Sequence, residues 1–180
     1  VGLVPEDRRT QGLILEASVA DNLGLATMVP TSKFGFADLK GQRDRENDTA
    51  RKLRIRMANI DQTAGSLSGG NQQKIVFGKW SMANVKVLLL DEPTRGVDVG
   101  ARVEIYELIN EITANGGAVL MASSDLPEVL GMSDRVLVMS NGKLSGEMPA
   151  SEATQERVMS LAVSHMNEDF SENTTANVEK

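Results

Sequence analysis

The sequence predicts an α/β protein with a mainly parallel sheet. Short apolar segments alternate with longer segments of helical periodicity, which is the pattern of parallel strands joined by crossover helices. The segment 85–90 is interrupted only by Lys86, as expected of a central strand. A length of 180 residues, 41% of them hydrophobic, is enough for one domain with a sizeable core.

The first 66 residues are expected to hold a strand end and two helices. Residues 2–4 are the apolar end of a strand, followed by a charged loop. Ser18 and Asp21 have the spacing of a capping box at a helix start. A connector follows over residues 29–42. A charged helix over 43–57 carries a thin apolar stripe and should lie at the surface.

The remaining residues carry the stronger periodic pattern. A wide apolar face and the terminating Asn115-Gly116-Gly117 define one helix. Asn141-Gly142 predicts a hairpin turn, so the strand after it should pair antiparallel with the strand before it. Beyond Ser164 the chain is polar and acidic, and we expect disorder. The predicted helices are 69–82, 99–114, 126–131 and 152–163, and the predicted strands are 85–90, 118–122, 135–140 and 143–148.

Composition excludes several classes of protein. The net charge is −6 and no basic run exceeds Arg8-Arg9, so nucleic acid is not expected as a partner. No apolar run approaches the roughly 20 residues that span a bilayer. Cysteine is absent, which excludes a disulfide framework and a thiolate metal site and fits a reducing compartment. The chain begins at Val1 with residues typical of the middle of a domain, so we expect a partial chain.

Two adjacent carboxylates follow the central apolar strand. Asp91 and Glu92 would lie at the carboxyl end of that strand, where open α/β sheets bind ligands. Two carboxylates there are costly to desolvate without a cation or water to engage. One interpretation is that Asp91 holds Mg²⁺ while Glu92 polarises an attacking water. The alternative is that both cap the next turn, which Pro93 enforces.

A hydroxyl and two glycines stand at the predicted start of the 69–82 helix. Ser68, Gly69 and Gly70 would leave several backbone N–H groups unshielded, which suits an anion. The alternative is an ordinary helix cap, since serine is a favoured N-cap residue. Gln72 and Gln73 and the strand that follows favour the anion site.

These stretches together resemble the ATP-binding cassette ATPases. The letters LSGGNQQK at 67–74 resemble the family signature, VLLLDEPT at 87–94 resembles its Walker B strand, and GVD at 96–98 resembles its D-loop. The ending NQQK at 71–74, with PEDR at 5–8, resembles the second cassette of fused importers of ribose-type monosaccharides. No G-x-x-x-x-G-K-[ST] phosphate loop occurs in the 180 residues.

The resemblance implies a P-loop NTPase-like fold that lacks its N-terminal phosphate-loop part. Residues 1–17 would be the end of a core strand and the Q-loop region, and 18–66 a helical subdomain. Residues 67–163 would form the α/β core that contains Walker B, and 164–180 an acidic disordered tail.

The same resemblance assigns the signature residues to a composite site. Two cassettes of this family clamp two ATP molecules, and the signature of one closes on the γ-phosphate held by the other. Ser68, Gly69 and Gly70, together with Gln73, would therefore serve a nucleotide bound mostly by a partner cassette.

The Walker B residues would serve a different nucleotide. By resemblance, Asp91 is the metal residue and Glu92 the catalytic residue of this cassette's own site. Asp98 would cross the dimer interface and help couple the two sites.

Two positions depart from the family pattern. Ser124 stands where the switch histidine is expected, and Glu6 stands where the Q-loop glutamine is expected. Both are assigned to nucleotide contact by position, and both suggest a weak or inactive own site. An alternative role for Ser124 and Asp125 is to cap the next helix in a D-x-x-E pattern with Glu128. The only histidine, His165, is expected to be a solvated bystander.

The implied function is the ATP-binding subunit of a sugar importer, coupling ATP binding and hydrolysis to uptake. ATP and Mg²⁺ are the implied cofactors. The implied partners are a second cassette, transmembrane permease subunits and, indirectly, a periplasmic sugar-binding protein, at the cytoplasmic face of the inner membrane.

The alternative function is a non-catalytic interaction module that only completes a partner cassette's ATP site. Without a phosphate loop the chain alone is predicted to be inactive. A chromosome-maintenance or DNA-repair ATPase is disfavoured, because residues 18–66 contain no sustained heptads and the net charge is acidic.

Overall fold

The computed structural model of the chain describes residues 1–27, 32–33 and 36–164. Two compact units are present, Val1–Ala122 and Ser123–Lys180. The predicted subdomain boundaries after residues 17, 66 and 163 stay predictions. The tail beyond Ser164, including His165, lies outside the described residues, as do Phe34 and Gly35 of the connector.

The first unit combines a parallel sheet with four α-helices. Its strands are β1 (Gly2–Val4), β2 (Ser32–Lys33), β3 (Phe36–Ala37), β4 (Val87–Asp91) and β5 (Ala118–Ala122), and its helices are α1 (Val19–Gly24), α2 (Leu39–Lys52), α3 (Gly69–Met82) and α4 (Val99–Ala114).

The sheet confirms the predicted parallel arrangement. Its order is β1-β4-β5, both pairings are parallel, and the apolar strand β4 is central as expected. Val4 pairs with Leu90, which pairs with Met121, so the three carboxyl ends lie at one edge. Asp91 and Glu92 lie at that edge, where open parallel sheets bind ligands.

Within the described part of the first unit, α3 packs on one face of this sheet and the opposite face carries exposed apolar side chains. The indole nitrogen of Trp80 donates to the carbonyl of Leu3 at 2.7 Å, which ties α3 to β1. The side chains of Leu3 and Leu120 occupy one row of the register and are 49% and 56% exposed. Within the first unit, the described residues therefore cover only one face of these parallel strands, although both faces are apolar.

The capping box at α1 is confirmed. The backbone N–H of Asp21 donates to Ser18 Oγ at 3.0 Å, and the N–H of Ser18 donates to Asp21 Oδ2 at 3.3 Å. Helix α1 then packs on α3 so closely that a Cβ on Gly78 would lie 2.5 Å from Leu23 Cδ2. The glycine at this crossing allows the two backbones to approach.

Helix α2 differs from its predicted bounds of 43–57. It begins at Leu39, because the carboxylate of Asp38 accepts from the N–H of Gly41 at 3.0 Å and caps it. It ends at Lys52, because Arg54 turns left-handed with φ of 51°. The predicted connector over 29–42 is therefore wrong for its last residues, where the glycine suggested a loop.

A short π-helix over Arg8–Gly12 replaces the expected loop. Asp7 accepts from the N–H of Arg9 at 3.0 Å and begins the turn. The Lys79 ammonium of α3 donates to the carbonyl of Gly12 at 2.9 Å, and burial lowers the pKa of Lys79. The π-helix is thereby fixed to α3.

The second unit is a hairpin packed with two helices. Its elements are α5 (Leu126–Met132), β6 (Arg135–Ser140), β7 (Lys143–Pro149) and α6 (Gln155–Ser164). The predicted turn is confirmed, with φ of 48° at Asn141 and 75° at Gly142. Helix α6 begins later than the predicted 152, because a 3-10 turn occupies Ala150–Glu152. The core of the second unit is formed by Val136, Val138, Met148 and Val158.

An ion pair between a buried lysine and a partly exposed glutamate joins α3 to α4. The Lys74 ammonium lies 2.5 Å from a carboxylate oxygen of Glu104 and donates to the carbonyl of Arg54 at 3.1 Å. The Lys74 side chain is 3% exposed and that of Glu104 is 27% exposed. The hydrogen bond from Lys74 is the main cause that lowers the pKa of Glu104.

Removing the carboxylate of Glu104 should destabilise the first unit. Glu104→Gln leaves a buried ammonium without its counter-ion, and we expect a loss of about 2 kcal/mol in the free energy of unfolding at pH 7. Because the pKa of Glu104 in the folded state is lower than the ordinary glutamate value of 4.5, the ion pair stabilises the fold fully above pH 4.5, and this stability is lost as pH falls through the folded-state pKa. The difference between wild type and variant should therefore narrow below about pH 4.5.

Urea unfolding followed by tryptophan fluorescence at pH 7 and pH 3.5 measures this difference. The matched control is Glu107→Gln on the same helix, whose partner Arg54 is 3.7 Å away and whose carboxylate is 62% exposed. We expect the control to change stability by less than about 0.5 kcal/mol. Equal effects of the two substitutions would show that the Lys74 pair is not what joins the helices.

Candidate functional site

The two predicted carboxylates follow each other at the carboxyl end of β4. Asp91 is the last residue of the strand and is exposed, while Glu92 is partly buried. Glu92 has φ of 47°, an uncommon conformation for a residue with a side chain, and its N–H donates to the carbonyl of Ala122 at 2.9 Å. The backbone thus turns sharply out of the sheet between the two carboxylates.

A turn connects these carboxylates to Asp98. Backbone groups close it: the N–H of Arg95 donates to the carbonyl of Glu92 at 3.0 Å, and the N–H of Val97 donates to that of Thr94 at 3.2 Å. We name residues 92–98 the Walker B turn. Asp98 is its exposed end and caps α4, accepting from the N–H of Ala101 at 2.9 Å.

Ser68 holds the N-cap position of α3 without capping it through its side chain. Its φ and ψ of −62° and 157° are those of an N-cap, but its hydroxyl accepts from Asn71 Nδ2 at 2.9 Å and makes no hydrogen bond to the helix backbone. The side chain is exposed. The ordinary-cap interpretation therefore accounts for the backbone of Ser68 but not for its hydroxyl.

The two glycines after Ser68 allow the start of α3 to touch the Walker B turn. A Cβ on Gly69 would lie 2.6 Å from Arg8 Nη2 and 2.9 Å from the carbonyl oxygen of Gly96. A Cβ on Gly70 would lie 2.5 Å from the Cβ of Ala101. A side chain at Gly69 would push the start of α3 away from the Walker B turn, and one at Gly70 would push it away from the start of α4.

Arg8 joins three segments of the site. Its Nη1 donates to the carbonyl of Arg95 at 2.9 Å, and its Nη2 donates to the carbonyl of Gly96 at 3.3 Å. Burial is the main cause that lowers the pKa of Arg8, with the neighbouring Arg9 adding to it. Sequence reasoning missed this contact, because the partners are 87 and 88 residues away and no local pattern signals them.

Glu6 lies beside the same turn. Its carboxylate forms an ion pair with the guanidinium of Arg95, and both side chains are largely exposed. The structure therefore brings Glu6, Asp91, Glu92, Asp98 and the start of α3 to one edge of the sheet.

The side chains of the two signature glutamines are buried and do not lie at the surface. Gln72 is buried and donates to the carbonyl of Leu67 at 3.1 Å, which holds the turn before Ser68. Gln73 is 2% exposed. The predicted nucleotide contact of Gln73 stays a prediction, and this burial does not support it.

Ser124 belongs to the second unit and is exposed. The capping alternative is confirmed for its neighbour, since the N–H of Glu128 donates to Asp125 Oδ1 at 3.2 Å at the start of α5. The carboxylate of the buried Glu128 accepts instead from Ser123 Oγ at 2.5 Å. The nucleotide contact predicted for Ser124 stays a prediction.

The metal assignment rests on Asp91 alone. Among the described residues no group of three or more histidine, cysteine, aspartate or glutamate side chains could hold a metal ion. Mg²⁺ often binds through one or two carboxylates, with phosphates and water completing its shell. An exposed carboxylate at the end of β4 fits that mode of binding.

No helix in the part of the chain that the structure describes has the length and apolar character needed to cross a membrane.

Comparison with solved structures shows the fold. The chain resembles an ATP-binding cassette solved as a dimer with ADP and Pi, with a TM-score of 0.69 over 83% of this chain and 62% of that one, at 19% identity. A metal-chelate type ABC transporter in an inward-facing conformation gives a TM-score of 0.75 over 89% of this chain and 62% of that one, at 17% identity.

Comparison with curated proteins finds much closer sequences. The ribose import ATP-binding protein RbsA of Corynebacterium glutamicum is 59% identical over 99% of this chain, and RbsA 1 of Streptomyces avermitilis is 65% identical over 91% of it. The chain spans about a third of their length, 34% and 31% respectively.

The profile of the ABC transporter family matches residues 1–95, which include the signature and the Walker B strand. With the cassette fold and the site at the edge of its sheet, this match shows that the chain belongs to the ABC transporter family.

Proposed function

We propose that this chain is part of the ATP-binding subunit of a sugar importer of the ribose class. Its signature residues would complete an ATP site of a partner cassette, and its Walker B residues would contribute to its own ATP site. The observation that carries the proposal is the start of α3. Ser68 is exposed there, while Gly69 and Gly70 pack on the Walker B turn. Relatives that cover nearly the whole chain are named ribose import ATP-binding proteins.

The start of α3 is proposed to face a nucleotide held mostly by a partner cassette. The first N–H groups of a helix have no partner within it, and the helix dipole favours an anion at this end. The Ser68 hydroxyl, oriented by Asn71, adds a donor directed at the γ-phosphate. Gly69 and Gly70 would contribute backbone N–H groups to the phosphate, while their missing side chains allow the packing on Gly96 and Ala101.

The end of β4 is proposed to serve this cassette's own nucleotide. Asp91 would hold Mg²⁺, which supplies charge neutralisation on the β- and γ-phosphates when bound. Glu92, turned away from the strand by its left-handed backbone, would polarise the attacking water. Asp98, fixed at the N-cap of α4, would face the partner across the dimer.

A second candidate function is favoured by Glu6. Its carboxylate is engaged by Arg95, and a carboxylate adds negative charge where a glutamine would be neutral. With Ser124 in place of the switch histidine, the chain would complete the partner's ATP site while its own site turns over little or nothing.

The proposed assembly follows from the importer function. A second cassette would bind the exposed surface around Ser68 and Asp98. Permease subunits would dock on the helical segment 18–66, and a periplasmic sugar-binding protein would act through them. The chain would lie at the cytoplasmic face of the inner membrane.

The test system is a chimera in which this chain replaces the matching residues of the C. glutamicum ribose import ATP-binding protein. ATPase activity is measured on the purified chimera. Uptake of labelled ribose is measured in C. glutamicum cells that carry the chimera as their only copy of that protein.

Ser68→Trp should abolish function without unfolding the chain. The indole would fill the space that the phosphate needs, and we expect kcat/KM for ATP to fall at least about 100-fold and ribose uptake to fall with it. The matched control is Ser81→Trp, an exposed serine near the opposite end of the same helix. Equal activities of the two variants would contradict the role given to Ser68.

Glu92→Gln separates the two candidate functions. If this cassette's own site hydrolyses ATP, kcat should fall about 100-fold or more at that site, as measured by single-turnover ATP hydrolysis with both sites loaded. If the chain only completes the partner's site, the substitution should leave turnover within about twofold of wild type.

The chain alone should bind ATP poorly. It has no phosphate loop in its 180 residues, so the lysine and N–H groups that hold the β- and γ-phosphates are missing from it. Isothermal titration with Mg·ATP should give a Kd weaker than about 1 mM. A micromolar Kd would contradict the proposal that the nucleotide is held mostly by residues outside this chain.

A further inference from the structure

We propose that Arg8 is a positioning residue that clamps the start of α3 to the Walker B turn and so sets the spacing of the groups that act on nucleotide. This inference rests on the proposed function and adds a residue to it. Arg8 itself need not touch nucleotide, because its two terminal nitrogens are engaged by backbone carbonyls.

The clamp begins with the fork geometry of the guanidinium. Nη1 donates to the carbonyl of Arg95 at 2.9 Å and Nη2 to the carbonyl of Gly96 at 3.3 Å, so adjacent peptide units are held by one rigid, planar group. A lysine ammonium is a single point and cannot span both carbonyls with the same directions.

The same guanidinium also contacts the start of α3. Nη2 lies 2.6 Å from the position a Cβ would take on Gly69, and the carbonyl oxygen of Gly96 lies 2.9 Å from that position. Arg8 thus fills the corner formed by the helix start and the turn. Its Nε is buried and donates no hydrogen bond within the described part of the chain. The fixed position of this cation therefore depends on the two carbonyls.

The carbonyls that Arg8 holds lie inside the Walker B turn. Residues Arg95 and Gly96 stand between Glu92 and Asp98, and Gly96 has φ of 67°, where glycine is conformationally free. Besides the clamp, the turn is held by its two backbone hydrogen bonds and by the largely exposed Glu6–Arg95 ion pair, and only Arg8 connects it to the start of α3 through a side chain that is itself partly buried. Arg8 therefore restrains the segment whose two ends are proposed to act in different ATP sites.

The clamp itself is tested on the 180-residue chain by hydrogen–deuterium exchange. Arg8→Met should raise exchange at least about tenfold in peptides that cover residues 92–98 and 68–72, because the turn and the helix start then open locally. Exchange in β5 should stay unchanged. Arg8→Lys should give an intermediate rise. The matched control is Arg9→Met, an exposed neighbour on the same π-helix, and should match wild type.

The effect on the reaction is tested in the chimera. Arg8→Met should lower kcat by about 10- to 100-fold, because misplacement of reacting groups by about 1 Å costs that much. KM for ATP should stay within about twofold, since Arg8 contributes to alignment and not to binding. Arg8→Lys should recover part of kcat, and Arg9→Met should match wild type.

Three outcomes would overturn the proposal. They are an unchanged exchange pattern in Arg8→Met, a rise in exchange spread over the whole chain, and a loss of activity that appears in KM rather than in kcat. A failure of the proposed function is distinguishable, because it would leave the wild-type chimera without ATPase activity while the exchange experiment on the chain alone still tests the clamp.

Discussion

The close packing of the first turn of α3 on the turn that follows β4 is the constraint on which the site depends. A Cβ at Gly69 would clash with the Gly96 carbonyl and with Arg8, and a Cβ at Gly70 would clash with Ala101 at the start of α4, so this packing requires both glycines. The contact places an exposed hydroxyl, Ser68, and an exposed carboxylate, Asp98, on neighbouring elements. Two charged side chains stabilise this packing. Arg8 donates hydrogen bonds to the turn, and Lys74, farther along α3, forms an ion pair with Glu104 of α4.

The two ends of the signature stretch have different surroundings along the single helix α3. Ser68, at the N-cap of α3, is exposed, whereas the residues from Gln72 to Gly78 are buried. Gln72 uses its amide to hold the preceding turn, and Lys74 uses its ammonium to bind α4. A stretch that is polar in sequence thus combines one exposed hydroxyl with an interior network, and the network keeps the hydroxyl in place.

Local signals located most elements but missed contacts between distant residues. The capping box at Ser18, the helix α3 and the Asn141-Gly142 turn follow from patterns that span four residues or a few helical turns. The prediction of where α2 begins was wrong for a local reason: Gly41 suggested a loop, whereas its N–H donates to the carboxylate of Asp38, which caps the helix. The sequence did not predict the π-helix over Arg8–Gly12, because it is held by Lys79 of α3, which is distant in the chain.

The sequence by itself determined the parallel α/β class, the central strand and the family. Apolar periodicity and short motifs each lie within a short stretch of sequence, so they can be recognised without the fold. Tertiary structure alone decided that Gln73 is buried, that Glu6 pairs with Arg95, and that Arg8 joins the site. Those facts depend on which side chains meet after the chain has folded. Residues separated by more than 80 positions leave no pattern in the sequence that identifies such partners.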